Sequence, residues 1–240
     1  MTNPESKIQN PKSAPPALQA FAALMRREFT VELRTKSLLT SMGLFAALSV
    51  VVVGLAVRTL PVNETYHRFV LGMLWVTSIF AAVVGLNRAA QADRGRNFLG
   101  ALLLIPHDPA LVYVSRLVSA MVFLLATQAL LVLLAIPLLR FGMFDQPLLL
   151  LVVPLADLGI LAPGVLLASG TSRTRGGESL LTIALLPIAV PVFASATGIT
   201  DALQGGLGFA GAQPWLLLLA TCDAMFLGMG LLLFGKLNEG

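Results

Sequence analysis

Six apolar runs, each near the ~20 residues that a helix needs to cross a hydrocarbon layer, constrain this chain more than anything else in it. They are Leu38–Val57, Phe69–Leu86, Leu111–Leu139, Leu148–Ala168, Leu180–Thr197 and Trp215–Phe234. An unpaired backbone group in hydrocarbon costs several kcal/mol, which excludes open strands and requires helices. The third run is overlong, so it tilts or begins in the interface near Arg116. The fifth is short and carries Pro187 and Pro191, which should kink it. The chain is 57% hydrophobic and 12% charged, where a soluble domain carries about 25% charge, so its apolar excess faces lipid. The expected fold class is an all-α integral membrane protein with six transmembrane helices.

Before the first run, residues 1–17 hold Pro4, Pro11, Pro15 and Pro16 among polar residues, which reads as a disordered tail. Residues 18–37 form an amphipathic segment: Leu18, Phe21, Ala22, Met25, Phe29 and Leu33 recur at helical spacing, with Arg27, Thr30 and Arg34 opposite. An N-terminal interfacial helix lying on the membrane accounts for this pattern. A cytosolic extension of the first span is the alternative, because Glu28 and Glu32 blur the apolar face. Residues 38–240 then make the six-helix transmembrane domain. There is no secretory signal, since the first apolar run starts near Leu38 and is long enough to span.

Basic residues set the orientation. One side receives Lys7, Lys12, Arg26, Arg27, Arg34, Lys36, Arg88, Arg94, Arg96, Arg116, Arg173, Arg175 and Lys236, and the other only Arg58, Arg68 and Arg140. Thirteen of the sixteen Lys and Arg residues on one side is a strong positive-inside bias, placing both termini in the cytoplasm of a multi-pass protein. The net charge of +4 is divided among loops, so it reads as membrane orientation and not as a nucleic-acid surface. One cysteine, Cys222, allows no internal disulfide and no CxxC metal or redox site. No GxxxxGK[ST] occurs, so the chain has no P-loop for nucleotide phosphates. Gly206 to Gly211 does match GxGxxG, but it follows no strand, and small residues in a short loop explain it.

The loop Gly85–Arg116 is the longest hydrophilic interruption. Within it Asp93 can cap a helix, and Phe98, Leu102 and Ile105 share one face of a short segment stopped by Pro106. Asp93-Arg94-Gly95 followed by Leu102-Leu103 and Pro106 resembles the loop after the second span of ABC-2-type permeases. There an acidic residue and a glycine precede a short helix that docks on an ATP-binding subunit. By that resemblance Asp93, Arg94, Gly95, Arg96, Phe98 and Leu102 form a docking surface, which Arg173 and Arg175 of the next inner loop extend. A loop resting on the membrane surface is the plainer reading of the first segment, and an ordinary basic turn of the second.

Three further pieces are the most characteristic: Leu158 to Leu167 (LGILAPGVLL), Ser172 to Leu181 (SRTRGGESLL) and Leu185 to Phe193 (LLPIAVPVF). Together with Leu103 to Pro106 they resemble the haem exporter protein B (CcmB) family, from about Leu38 to the C-terminus. Its members are permease subunits of the bacterial cytochrome c maturation system in the cell inner membrane. The resemblance implies an ABC-2-type, permease-like fold without catalytic residues. It also implies an ATP-binding partner (CcmA-like) carrying ATP and magnesium, a haem-handling membrane subunit (CcmC-like) and a haem chaperone (CcmE-like). Two copies of the chain would serve a nucleotide-binding dimer.

Asp157 and Asp223 fall inside apolar runs, where a carboxylate costs about 2.5–3.5 kcal/mol on insertion scales. Either they line a polar or proton path, or each makes a static interhelical contact. Asp157 lies between Pro154 and Pro163, where a broken helix would offer backbone donors. Haem iron needs an axial ligand such as His. The two histidines are His67, with Tyr66 and Trp75 nearby, and His107, which is explained as a turn residue. His67 is therefore the one candidate haem contact in a chain whose complex handles the cofactor. Asn63-Glu64-Thr65 matches a glycosylation sequon, without meaning in a bacterial inner membrane. An ABC-2 exporter of another substrate, such as a drug, lipid or polysaccharide, and an intramembrane enzyme are the rival readings.

Overall fold

A computed structural model describes residues 17–96, 109–140, 148–171 and 176–239. These residues form seven α-helices, with no strand among the described residues: α1 Ala17–Thr35, α2 Ser37–Val57, α3 Glu64–Arg96, α4 Pro109–Leu139, α5 Leu148–Thr171, α6 Gly177–Gln204 and α7 Gly208–Glu239. Helices α2 to α7 are each long and apolar enough to cross a membrane. The chain is a multi-pass, all-α membrane protein. Of the tail expected over residues 1–17, only Ala17 is described, and it opens α1.

Helices α3 and α5 form the inside of the bundle, with 67% and 61% of their most apolar stretches buried, against 28% in α2 and α7. Small residues make this possible, because without a hydrophobic force between helices in lipid, association depends on close backbone approach. Gly164 of α5 sits against Leu86 of α3, and Gly230 of α7 against the phenol of Tyr113 on α4; a Cβ at either glycine would overlap its neighbour. The Tyr113 hydroxyl in turn donates to the Ala162 carbonyl of α5 at 3.0 Å. Outward, α2 exposes Leu44, Leu48 and Leu55, and α7 exposes Leu217 and Leu232, the surface a bilayer covers.

Cross-contacts at the helix ends show that the spans alternate in direction. The Tyr66 hydroxyl at the start of α3 donates to the Leu139 carbonyl at the end of α4 at 2.9 Å. A Cβ on Gly205, at the end of α6, would come within 3.3 Å of Arg68 on α3, while one on Gly235, late in α7, would meet Pro109 at the start of α4. Helix α1 packs beside the first half of α4, where the rings of Phe29 and Phe123 lie 5.2 Å apart and the Ser119 hydroxyl reaches the Met25 sulfur at 3.3 Å. The described chain therefore begins and ends at one end of the bundle, the α1 end.

α1 and α2 are separate helices that meet at Lys36. Lys36 adopts a left-handed conformation, φ 52°, which breaks the helix. Glu32 is buried there and accepts the backbone N–H groups of Leu38 and Leu39 at 2.8 and 2.9 Å, satisfying two donors at the open end of α2. The residue that blurs the apolar face in the sequence is thus the cap of the next helix. Of the expected apolar face of α1, Met25 and Phe29 pack inward with Leu24 beside them, whereas Leu33 is 64% exposed.

Three spans, α3, α6 and α7, run well beyond their apolar runs, α7 from Gly208 to Glu239. α3 starts at Glu64, where the Asn63 side chain accepts the Tyr66 N–H at 2.8 Å, and stays helical through Arg96. α6 runs for 28 residues across Pro187 and Pro191. The GxGxxG match falls at the α6–α7 turn, where Gly206 and Gly208 have φ of 74° and 58°, conformations that glycine adopts without steric cost.

Candidate functional site

The extension of α3 past the apolar core is built from Ala89, Ala90, Gln91 and Ala92 among arginines, all good helix formers. It carries Asp93 and Arg94 to the α1 end still in helical register. Asp93 does not stand ahead of a following helix as a cap. It lies inside α3, and its carboxylate takes both terminal nitrogens of Arg116 on α4, at 2.6 and 3.0 Å. The pair is mostly withdrawn from solvent, with side-chain exposures of 11% for Arg116 and 18% for Asp93. Such a two-point guanidinium–carboxylate contact fixes orientation as well as distance.

Arg94 turns the other way and donates to the Thr171 carbonyl at the end of α5, 3.2 Å away. A Cβ on Gly177, in the first turn of α6, would come within 2.7 Å of the same guanidinium and would overlap the Thr171 carbonyl. Thr171 and Gly177 bracket the connection that contains Arg173 and Arg175. One side chain therefore joins the end of α3 to the end of α5 and the start of α6. Deeper along the same seam, the Asn87 amide donates to the Thr182 hydroxyl at 3.0 Å, tying α3 to α6 again. Gly95 and Arg96 complete the last turn of α3. Phe98, Leu102, Arg173 and Arg175 lie outside the described residues.

Inside the bundle, Asp157 is 1% exposed and accepts the Gln128 amide N–H of α4 at 2.7 Å. Its environment differs from the one its flanking prolines imply. α5 is helical from Leu148 to Thr171, and the carboxyl meets a side-chain amide, not backbone freed by a break. Asp157 Oδ2 and Gln128 Oε1 have no hydrogen-bond partner among the described residues. Asp223 on α7 is also buried and points at Gly159 of α5, where a Cβ would stand 2.6 Å from Oδ1. Asp157, on α5, thus faces α4, whereas Asp223, on α7, faces α5. Two pairings escaped the sequence reading: Gln128 with Asp157, and the Trp75 indole N–H donating to the Thr200 hydroxyl at 3.1 Å between α3 and α6. The signal available was a Gln within an apolar run, polar in a place where it needs a partner.

His67 stands at the far end of the bundle from Asp93, in the first turn of α3, with its ring edge-on to Tyr66 at a centroid distance of 5.7 Å. Among the described residues, no three His, Cys, Asp or Glu side chains gather in a way that could hold a metal ion.

Two comparisons bear on this arrangement. The family model described as CcmB protein matches residues 19–233, from α1 to nearly the end of α7. Heme exporter protein B of Pseudomonas aeruginosa is 26% identical over 198 residues, covering 82% of this chain and 87% of that protein. The match takes in α1, the Asp93–Arg116 seam and both buried aspartates, and with it the chain belongs to the CcmB protein family.

Proposed function

We propose that this chain is the membrane subunit of an ABC-type complex for cytochrome c biogenesis, and that an ATP-binding subunit (CcmA-like) docks on its α1 end. The observation that carries the reading is the reach of Arg94 from α3 to Thr171, beside Gly177. It ties the end of the second span to the end of the fourth, which supports a single surface that the inner segments following them share and that a partner can push. The Asp93–Arg116 pair locks that surface to α4, so a displacement there moves α3, α4, α5 and α6 together and not one loop. Transmission through such a packed, bistable unit is how a soluble motor acts on a membrane body.

In this reading ATP with magnesium sits on the partner, and the chain itself is not catalytic. Haem is the cargo of the complex, in keeping with the name of the Pseudomonas relative. The work is spent either on haem export or on release of a haem-loaded periplasmic chaperone (CcmE-like), with a CcmC-like membrane subunit alongside. Two copies of the chain match a nucleotide-binding dimer. The α1 end faces the cytoplasm of a bacterial inner membrane, since all the described basic residues except Arg58, Arg68 and Arg140 collect there.

The test is purification of the tagged chain with its ATPase, together with variants Arg94→Ala, Phe98→Asp and Leu102→Asp. The expected result is that the ATPase copurifies with the parent chain, that the variants insert normally, and that holo-cytochrome c is lost. Wild-type ATPase recovery and coupling in all three variants would overturn the docking surface. A deletion that spares holo-cytochrome c would instead favour an ABC-2 exporter of another cargo.

A further inference from the structure

The end of the bundle opposite α1 holds a pocket of about 250 Å³, where the end of α2, the start of α3 and the end of α4 meet. Arg58 and Arg140, the residues that follow α2 and α4, both line it, and no Asp or Glu does. Glu64, at the start of α3, is held by Arg68 at 2.9 Å. The last carbonyl of each helix has a partner of its own. That of Val57 accepts the Leu60 N–H at 3.0 Å, and that of Leu139 accepts the Tyr66 hydroxyl at 2.9 Å. Both guanidiniums are therefore spare: the residues are exposed, and neither has a carboxylate partner among the described residues. Arg140 also holds φ 48°, a backbone conformation that a residue with a side chain disfavours and that collects at functional sites. Beyond the arginines the walls are apolar. Val51 precedes Arg58 by seven residues, so the pocket follows α2 for about 10 Å. Val51, Leu55 and Leu138 line it and are also exposed, so it opens onto the face that a bilayer covers.

We propose that this pocket binds the headgroup of an anionic phospholipid, with its phosphate between Arg58 and Arg140 and its glycerol end against Leu55 and Leu138. A guanidinium presents a planar fork of N–H donors that fits phosphate oxygens. The charge pattern selects the class. The ammonium of an ethanolamine lipid, or the quaternary amine of a choline lipid, would face two cations and find no carboxylate in the walls. A glycerol headgroup brings no positive charge. The apolar depth favours a lipid over a free anion, because it gives the glycerol end a place and leaves the acyl chains to the bilayer. Sites for whole small molecules begin near ~300 Å³, so this volume suits a headgroup alone. The inference rests on the membrane-spanning fold and stands or falls independently of ATPase docking.

The experiment uses the full chain in detergent micelles, offered equimolar phosphatidylglycerol, phosphatidylethanolamine and phosphatidylcholine, with retained lipid counted by native mass spectrometry. The parent chain should prefer phosphatidylglycerol to either competitor by about fivefold for each of the two arginines. Arg58→Gln and Arg140→Gln should each remove one such factor, and the double variant should retain the three lipids equally. Arg58→Lys with Arg140→Lys should keep most of the preference. Arg68→Gln removes a cation from the same end of the bundle without touching the pocket, and should behave as the parent. Equal retention of all three lipids by the parent, a double variant that keeps the preference, or an equal loss in Arg68→Gln would overturn the proposal. Displacement of the lipid by inorganic phosphate would also overturn it, by showing that the site takes a free anion and not a lipid.

Discussion

Arg116 grips Asp93 with both terminal nitrogens, 2.6 and 3.0 Å from the two carboxylate oxygens, across the junction of α3 and α4. Breaking a fully buried pair by removing one partner costs 3–5 kcal/mol, and this pair keeps some contact with solvent, so a loss of about 2 kcal/mol is expected for Asp93→Asn or Arg116→Leu. Unfolding in mixed micelles, followed by reaction of the lone thiol of Cys222, measures it. The charge reversal Asp93→Arg with Arg116→Asp should recover more than half the loss. Single variants indistinguishable from the parent would show that the pair holds nothing.

The start of α6 is packed as tightly as glycine allows. Gly177→Ala places a methyl group against the Thr171 carbonyl and the Arg94 guanidinium, so the first turn of α6 has to shift. Overpacking of this kind costs about 1–3 kcal/mol. The expected phenotype is reduced coupling with normal insertion, read as ATPase activity that no longer tracks cytochrome maturation. Gly176, at φ 79° with open space around it, makes a control: Gly176→Ala should be destabilising through backbone strain without disturbing Arg94.

Asp157 and Gln128 cross-link α4 to α5 where water is scarce. Asp157→Leu leaves the Gln128 amide buried without its acceptor, a loss of about 1–3 kcal/mol. Asp157→Asn keeps an acceptor oxygen for the same N–H and should cost less than half of that. The pair of variants also separates the two roles a buried carboxyl can have. If Asp157→Asn supports wild-type cytochrome maturation, the contact is structural. If it is stable yet inactive, an ionisable group is required there.

The Trp75–Thr200 contact ties α3 to α6 through one hydrogen bond of 3.1 Å. Interhelical bonds in membrane proteins average about 0.6 kcal/mol, so Thr200→Val should be mild in stability. Its clearer readout is spectroscopic. With Trp215→Phe in place, Trp75 is the sole indole, and removing its acceptor should shift its emission to the blue. An unchanged spectrum would mean that the bond is not formed in solution.

Hydrocarbon imposes a strict rule, and for that reason the spans were legible in the sequence: Leu38–Val57 and Leu111–Leu139 each match a helix within two residues. The ends of α3 and α6 were not legible, because beyond the apolar run the helix is kept by Ala-rich propensity and by tertiary contacts of Asn87, Asp93 and Arg94 that no periodicity announces. Glu32 was misleading for a related reason. A carboxylate on an apolar face looks like a flaw until the chain folds back and supplies two backbone donors to it. Asp157 stood out in the sequence, yet its partner was hidden, since the distance from Gln128 in sequence says nothing about adjacency between helices. That the ends of α3 and α5 are neighbours was not legible either, and only the reach of Arg94 to Thr171 shows it.

Orientation supplies the last test, because the docking proposal needs the α1 end in the cytoplasm. Helices that alternate in direction collect Arg26, Arg34, Arg88, Arg94 and Arg116 at that end and leave Arg58 and Arg140 at the other. Each basic residue near an anionic surface contributes about 1 kcal/mol, so an imbalance of this size outweighs any single poorly inserted span. On a Cys222→Ser background, cysteines can be placed at Arg58 and at Ala92, both exposed. A membrane-impermeant maleimide applied to spheroplasts should label Arg58→Cys at once and Ala92→Cys only after permeabilisation. The reverse pattern would put the Asp93–Arg116 seam outside the cell, where no ATP-binding subunit can reach it.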